Sequence, residues 1–166
     1  MSHLSTAVEA TAAAAELCEG LAAAVAQRGW HVATAESLTA GTVGTVLAAA
    51  PDATSWYRGT IAAYSPEVKF SLLDVPRGPV VTRECAVLMA RRTAELLGAE
   101  LCVAMTGVGG PEPDEGEPAG TVWFAVVSPG GEHTVKEVFP GSPAEVLTAT
   151  TERALALLHD AAAGAL

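Results

Sequence analysis

The sequence has few basic residues. Nine lysines and arginines stand against nineteen aspartates and glutamates, so the 166-residue chain carries a formal net charge of −10. A chain of this charge repels the phosphate backbone of nucleic acid at long range, and it offers no stripe rich in lysine or arginine. We therefore expect no nucleic acid partner. An anionic small molecule would have to be bound by backbone N–H groups at a helix N-terminus rather than by a general positive field.

Cysteine is also scarce, and its three residues, Cys18, Cys85 and Cys102, lie far apart in apolar segments. An odd number at these spacings argues against a disulfide framework or a zinc site and predicts buried thiols in a reducing cytosol. Histidine, cysteine and carboxylate residues form no cluster with ligand spacing, so we expect no metal and no cofactor. The sequence also lacks a basic leader and a run of 18 apolar residues, which predicts a cytoplasmic protein without a signal peptide or membrane span.

The composition and the apolar periodicity predict the fold. Half of the residues are hydrophobic, enough for a sizeable core, and we expect a single domain over residues 1–166. The predicted helices and strands follow one another as a helix, then β-α units, then a hairpin and a closing helix. This order predicts an α/β fold: a three-layer α/β/α sandwich with a mixed, mostly parallel sheet and a C-terminal antiparallel hairpin. The predicted helices cover 5–28, a short segment from 43 to the stop at 51, a short segment from 66, 82–97 and 142–159, and the predicted strands cover 30–35, 59–64, 101–105, 120–127 and 134–139.

Polar side chains follow three of the predicted strands. They occur in the segments 34–42, which reads TAESLTAGT, 63–69, which reads AYSPEVK, and 105–111, which reads MTGVGGP. Because the carboxyl ends of parallel strands meet at one edge of a sheet, hydroxyls, a phenol and an amine should come together there. Such an edge is where α/β proteins usually build a site.

A nucleophilic serine at this edge needs a base. The four histidines are badly placed for that role, because they lie at the terminus, at a strand start, in a turn and at a helix end (His3, His31, His133 and His159). Lys69 is one of two lysines in the chain. It follows a predicted strand end near a helix N-terminus, where the helix dipole favours the neutral amine. Ser37 is then the candidate nucleophile, Lys69 the candidate base, and Tyr64 a residue that relays a proton or positions the lysine.

Each of these residues also has a purely structural interpretation. Ser37 is placed to cap the following helix, and serine most often does so. Tyr64 fits an ordinary sheet-edge residue and Lys69 a solvated helix residue. Glu36 fits either a general acid or a carboxylate favoured by a helix dipole. The acidic loop 111–119 is either a flap over the site or a surface excursion.

Four motifs taken together resemble the CinA C-terminal domain family. They are Thr-Ala-Glu-Ser-x-Thr-x-Gly at 34–41, Tyr-Ser-x-Glu-x-Lys at 64–69, Thr-Gly-x-x-Gly-Pro at 106–111 and Gly-Thr-Val-x-x-Ala at 120–125. Characterised members of that family are nicotinamide mononucleotide amidohydrolases, and they are commonly homo-oligomers. The resemblance implies that Ser37 attacks the carboxamide, that Lys69 is the general base with Tyr64 assisting, and that ammonia leaves.

The position of the turn after Glu36 suggests further substrate contacts. We expect its backbone amides, aimed by the following helix, to bind the phosphate or the oxyanion. Thr106 and Gly107 are expected to line the pocket from the next strand. The full predicted substrate-binding set is Glu36, Thr39, Ala40, Gly41, Thr42, Thr106 and Gly107.

Two residues depart from the family pattern. Ala40 stands where many members have glycine, and Pro143 stands where they commonly have arginine, a group that pairs with anions. Arg58 and Arg153 are candidate replacements for that arginine. The departures leave two rival functions beside the deamidase: a nucleotide-binding or regulatory protein with little turnover, and an amidohydrolase for another amide.

Overall fold

The computed structural model describes residues 12–166. Residues 5–11 of the predicted first helix therefore lie outside the described residues. Six helices and five strands make up the described part of the chain. They are α1 (Ala12–Arg28), β1 (Val32–Glu36), α2 (Thr42–Ala48), α3 (Ala53–Trp56), β2 (Tyr57–Ala62), α4 (Pro66–Leu72), α5 (Arg83–Leu97), β3 (Leu101–Gly107), β4 (Thr121–Ser128), β5 (Gly131–Val138) and α6 (Pro143–Ala163).

The five strands form one sheet in the order β2-β1-β3-β4-β5. β1 pairs in parallel with both β2 and β3, whereas β4 pairs antiparallel with β3 and with β5. β4 alone therefore runs against the other four strands, and the β4–β5 pair is the expected C-terminal hairpin. The predicted mixed, mostly parallel sheet is confirmed.

Helices cover both faces of this sheet. In β3, Leu101, Val103 and Met105 belong to a core shared with α1, α2 and α6, while Cys102 and Ala104 belong to the core under α5. All five are 0 % exposed, as expected for a strand buried on both faces. The predicted α/β/α sandwich is thereby confirmed.

The start of α6 was predicted from its sequence signal, and its end was placed too early. Ser142 accepts the backbone N–H of Glu145, whose carboxylate accepts the N–H of Ser142, and Pro143 occupies the first helical position. This is the capping box that the sequence indicates. The helix runs past the expected end at 159 to Ala163, because Gly164 supplies the left-handed residue that ends it.

The segment between α2 and β2 differs from the prediction. A short helix, α3, follows Pro51, and β2 starts at Tyr57 rather than at residue 59. Asp52, the N-cap residue of this helix, adopts a left-handed conformation (φ 53°). The indole N–H of Trp56 donates to the Pro51 carbonyl at 3.0 Å. Four residues are too few to show helical periodicity in a sequence.

The register of the sheet explains which segments meet at one edge. Glu36 at the end of β1 pairs with Ala62 of β2 and with Met105 of β3. The antiparallel strand β4 begins at that edge, and β5 ends there, because Thr121 pairs with Val138. The segments after β1, β2, β3 and β5 therefore all begin at the same edge.

Candidate active site

A cavity of about 810 Å³ lies at this edge of the sheet. Five of the residues predicted from the sequence line it, namely Ser37, Tyr64, Lys69, Thr106 and Gly107. The other walls are formed by Leu38, Pro66, Val80, Val81, the loop 108–114, Pro143, Ala144 and Leu147. The sequence pointed to the acidic loop, as one of its two interpretations, and to Pro143, as the position of the family arginine; sequence reasoning missed the others.

Beyond Ser37 and Leu38, the turn between β1 and α2 does not line the cavity as predicted. Its amides are already bonded within the protein: the N–H groups of Gly41, Val43 and Gly44 donate to the Glu36 carboxylate at 3.0, 3.0 and 2.8 Å. The N–H groups of Ala40 and Thr42 donate to backbone carbonyls at 3.1 and 2.9 Å. The prediction that these amides bind a phosphate is corrected, because a protein carboxylate fills the helix N-terminus. Thr39, Ala40, Gly41 and Thr42 lie outside the lining of the cavity.

Glu36 is fully buried and points into this turn rather than into the cavity. Besides the three amides, its carboxylate accepts the hydroxyls of Thr34 and Thr60 at 3.1 and 3.0 Å. These are the bonds of a carboxylate at a helix N-terminus, one of the two interpretations open from the sequence. Glu36 therefore holds the backbone that carries Ser37.

The same turn contains the departure at Ala40. Ala40 has φ 48°, a left-handed conformation that costs a residue with a Cβ roughly 1–2 kcal/mol. We expect Ala40→Gly to stabilise the protein by about 0.5–1 kcal/mol, because relief of this strain exceeds the added entropy of the unfolded chain. Thermal unfolding measures the effect. Ala23→Gly, at an exposed position inside α1, is the matched control and should lose about 1 kcal/mol. A loss of stability in Ala40→Gly would contradict the assignment of strain.

Ser37 follows β1 directly and is 7 % exposed. The N-cap residue of α2 is Gly41, and no side-chain hydrogen bond caps that helix. The structural interpretation of Ser37 as a helix cap is therefore excluded. Its side chain instead belongs to the lining of the cavity.

Lys69 is 1 % exposed and lies on α4, which Ser65 caps by accepting the Glu67 N–H at 3.2 Å. The amine donates to the carbonyls of Ala63 and Tyr64 at 2.7 and 3.3 Å. Lys69 is therefore not the solvated helix residue of the structural interpretation. Burial lowers the pKa of its amine, so a larger fraction is neutral near pH 7 than for an exposed lysine.

Two neighbouring acids oppose the effect of burial on Lys69. The charge of Glu115 in the acidic loop, and that of Cys85 on α5 once its thiol ionises at high pH, favour the ammonium form and raise the lysine pKa, but less than burial lowers it. Burial raises the pKa of the Cys85 thiol itself to about 11, so this cysteine is an inert thiol near neutral pH. All three cysteines are free and buried, as predicted.

Tyr64 lies at the rim of the cavity and is 70 % exposed. Its backbone carbonyl, rather than its phenol, contacts the Lys69 amine. Of the two roles considered for Tyr64, this contact supports positioning of the lysine through the main chain. The phenol is free to meet a ligand that enters from solvent.

Thr106 and Gly107 at the end of β3 have structural reasons for their identity. The Thr106 hydroxyl donates to the Val80 carbonyl at 2.8 Å and thereby ties the segment before α5 to the sheet. A Cβ at Gly107 would lie 2.4 Å from the Thr121 carbonyl oxygen, a distance that the backbone of β4 cannot accommodate. Glycine is thus required where β3 meets the cavity.

The cavity is poor in positive charge. Among its lining residues in the described part of the chain, Lys69 is the one basic side chain, and Glu112 and Asp114 are acidic. The two replacements considered for the family arginine do not reach it. Arg153 is ion-paired with Glu137, and neither Arg153 nor Arg58 belongs to the lining.

The acidic loop is held against the protein. The Glu115 carboxylate accepts the N–H groups of Val80 and Val81, and Glu117 pairs with Lys136 at 3.0 Å. Because the residues before Glu115 line the cavity, the loop is a wall of the candidate site, not a surface excursion.

Within residues 12–166, no group of three or more His, Cys, Asp or Glu residues is arranged to hold a metal ion. No helix in that range is both long and apolar enough to cross a membrane.

The fold and the cavity define an α/β/α domain whose candidate active site lies at the carboxyl edge of its sheet. Comparison with known proteins gives its family. The family model described as CinA C-terminal domain matches residues 14–162, and the chain belongs to this family. The resemblance expected from the four motifs is confirmed.

Relatives and solved structures agree with this assignment. A "CinA-like protein" of Frankia casuarinae is 36 % identical over 143 residues, which are 83 % of this chain and 33 % of that protein. A "putative competence-damage inducible protein" of Shouchella clausii is 40 % identical over 112 residues, 64 % of this chain and 27 % of that protein. The chain thus spans about a third or less of the length of these curated relatives.

Among solved structures, a CinA superfamily protein from Klebsiella pneumoniae superposes with a TM-score of 0.86 at 33 % identity and covers 91 % of this chain and 98 % of that one. One from Enterobacter cloacae gives a TM-score of 0.87 at 29 % identity over 98 % of both chains.

Proposed function

We propose that the chain is an amidohydrolase that converts nicotinamide mononucleotide and water to nicotinic acid mononucleotide and ammonia. The observation that carries the proposal is the burial of Lys69 in the cavity that Ser37 also lines. Burial of a lysine amine lowers the stability of the folded protein, which favours a functional reason for its position. Its lowered pKa supplies the neutral amine that a serine nucleophile requires. The substrate itself is taken from the family resemblance.

In the proposed first half-reaction, the neutral Lys69 amine takes the proton of the Ser37 hydroxyl while the serine oxygen attacks the carboxamide carbon. The carbonyls of Ala63 and Tyr64 hold the amine in place during this step. The N–H of Leu38, which is not among the amides bonded to Glu36, is our candidate donor to the oxyanion. Collapse of the tetrahedral intermediate breaks the carbon–nitrogen bond, and the proton on Lys69 passes to the leaving ammonia.

In the second half-reaction, water attacks the ester formed on Ser37. Lys69 accepts a proton from that water and returns it to the serine oxygen as the carboxylic acid leaves. The enzyme regains its starting protonation, so neither an oxidant nor a reductant is needed.

We also propose that the chain forms a homo-oligomer, and this part of the proposal rests on the family resemblance alone.

The charge of the cavity favours a second candidate, an amidohydrolase for another amide. Glu112 and Asp114 line the cavity, and Glu36 occupies the amides expected to hold a phosphate. These contacts suit a cationic pyridinium carboxamide without a phosphate better than a nucleotide.

Ammonia release by the purified chain from nicotinamide mononucleotide and from nicotinamide riboside tests both candidates. Faster release from the mononucleotide supports the first, and faster release from the riboside supports the second. Binding of the mononucleotide with no ammonia from either compound would overturn both and favour a nucleotide-binding protein.

Pro143 gives a direct test of the phosphate contact. It lines the cavity at the first position of α6, where the resembling proteins commonly carry arginine. We expect Pro143→Arg to lower the KM for the mononucleotide about tenfold and to leave the KM for the riboside unchanged, because a charge-assisted hydrogen bond contributes roughly 1.5–3 kcal/mol. Pro143→Ala controls for loss of the helix-starting proline. Equal KM changes for both compounds would show that the new side chain does not meet the phosphate.

A further inference from the structure

Glu115 makes an unusual pair of contacts for a residue in an exposed loop. Its two carboxylate oxygens accept the consecutive backbone N–H groups of Val80 and Val81 at 2.7 and 2.6 Å. Hydrogen bonds to a charged acceptor are stronger than neutral ones, and two of them fix the orientation of the carboxylate. Both valines line the cavity, so the contact lies at the cavity wall.

The loop is shaped to present this side chain. The backbone N–H and carbonyl groups of Asp114 and Glu117 bond to each other at 3.1 and 2.8 Å, which closes a tight turn around Glu115. The Asp114 carboxylate accepts the Glu115 N–H at 2.8 Å. Glu115 itself has φ 51°, a left-handed conformation that a non-glycine residue keeps only where its surroundings hold it.

The same carboxylate acts on the candidate base. The titratable groups that influence Lys69 are Cys85 on α5 and Glu115 in the loop, and because Cys85 is a neutral thiol near pH 7, Glu115 carries the charge there. Because the Glu115 charge favours the ammonium form, its removal leaves the effect of burial less opposed and lowers the pKa of Lys69 further.

We propose that Glu115 is a positioning residue of this site: it clamps the loop 108–117 onto the segment before α5 and so holds closed the wall against which the substrate lies. The part of this proposal that concerns the substrate rests on the amidohydrolase function proposed above, and the clamp itself does not. Glu115 is assigned no contact with the reacting atoms.

Hydrogen exchange tests the clamp without any need for enzyme activity. In Glu115→Ala, we expect the N–H groups of Val80 and Val81 to exchange at least tenfold faster than in the wild type, as resolved by NMR, because they lose their acceptors. In Glu115→Gln, which keeps an oxygen acceptor, the exchange rates of the two N–H groups should lie between those of the wild type and of Glu115→Ala. Glu95→Gln, at an exposed site near the other end of α5, is the matched control and should exchange like the wild type. Wild-type exchange at both valines in Glu115→Ala would overturn the proposal.

Kinetics test the effect on the site. We expect Glu115→Ala to raise the KM for the hydrolysed amide about tenfold and to change kcat little at alkaline pH, because the wall binds substrate and does no chemistry. With Lys69 as the base, kcat should rise with pH as the amine loses its proton. In both Glu115 variants this rise should move to lower pH, because the pKa of Lys69 is lower, and in Glu95→Gln it should stay in place. Faster exchange in Glu115→Ala with an unchanged KM and pH profile would overturn the positioning role. Faster exchange in Glu115→Ala, together with no amide hydrolysis by the wild type, would support the clamp and overturn the proposed function instead.

Discussion

Replacing Lys69 with methionine is expected to reduce the rate of carboxamide hydrolysis about 10²–10⁴-fold, the range for loss of a general base. Methionine fills a similar volume in this buried position but cannot accept the Ser37 proton. Ammonia release under saturating substrate measures the loss. The chain offers a matched control in its other lysine, because Lys136 is on β5 and does not line the cavity. Lys136→Met should retain the wild-type rate at saturating substrate, because its ion pair with Glu117 holds a wall of the cavity and takes no part in the chemistry.

The pH dependence of the wild type should identify the same residue. Since the proposed base is the neutral amine, we expect activity to rise with pH through the pKa of Lys69, at a pH below the ordinary lysine range because burial lowers that pKa. An activity that falls as pH rises through this range would contradict a lysine base.

Stability gives a second signature of the buried lysine, with a defined sign. The folded-state pKa of Lys69 lies below its unfolded value, so between the two values the unfolded chain binds more protons. The free energy of unfolding of the wild type, relative to Lys69→Met, should therefore rise with pH across this window, with the full penalty present below the folded-state pKa. Denaturant unfolding of both proteins at neutral and at alkaline pH measures it. A difference that does not change with pH would mean that Lys69 is not perturbed.

Glu36→Ala is expected to cause the largest loss of stability, about 3–5 kcal/mol, the range for breaking a buried charged network. The change removes a fully buried carboxylate and leaves the amides of Gly41, Val43 and Gly44 and the hydroxyl of Thr34 without their acceptor. The Thr60 hydroxyl loses the same acceptor and keeps the Thr34 carbonyl at 3.2 Å. For a domain of this size the corresponding fall in Tm is about 10 °C. Thermal and denaturant unfolding measure the loss.

The control for Glu36→Ala is Glu16→Ala, which removes the same side chain from an exposed position of α1 and should change stability by less than about 0.5 kcal/mol. The loss of stability in Glu36→Gln should lie between those of Glu36→Ala and Glu16→Ala, because the side-chain amide keeps one acceptor oxygen. If Glu36→Ala lost no more stability than Glu16→Ala, the carboxylate would not be what holds the β1–α2 turn.

The fold was predictable because local signals and global order agree. The capping box at Ser142 and the turn between β4 and β5 lie where the sequence indicates them, and the strand-end clusters that contain Ser37 and Lys69 do meet. Parallel strands force such clusters to one edge, whatever the details of packing. Residue type and spacing were therefore sufficient for this part of the site.

The remaining walls and the electrostatics depended on tertiary contacts. Whether the amides after Ser37 face a ligand or a carboxylate is decided by the side-chain direction of Glu36, which no spacing reveals. Pro143 reaches the cavity because β5 ends at the same edge, so the sheet register would have located it. The burial of Lys69 likewise depends on how α4 packs, and a lone lysine on a short helix usually predicts a solvated side chain.

Ammonia release by Ser37→Ala, measured beside wild type and Ser71→Ala, tests most directly the central claim that Ser37 is the nucleophile of this cavity. Ser71 lies exposed on α4 and outside the cavity lining, so its replacement controls for loss of a serine hydroxyl. We predict a loss on the order of 10³-fold or more in Ser37→Ala, with an unchanged circular dichroism spectrum and Tm, and the wild-type rate in Ser71→Ala. A folded Ser37→Ala protein that releases ammonia at the wild-type rate would contradict the account.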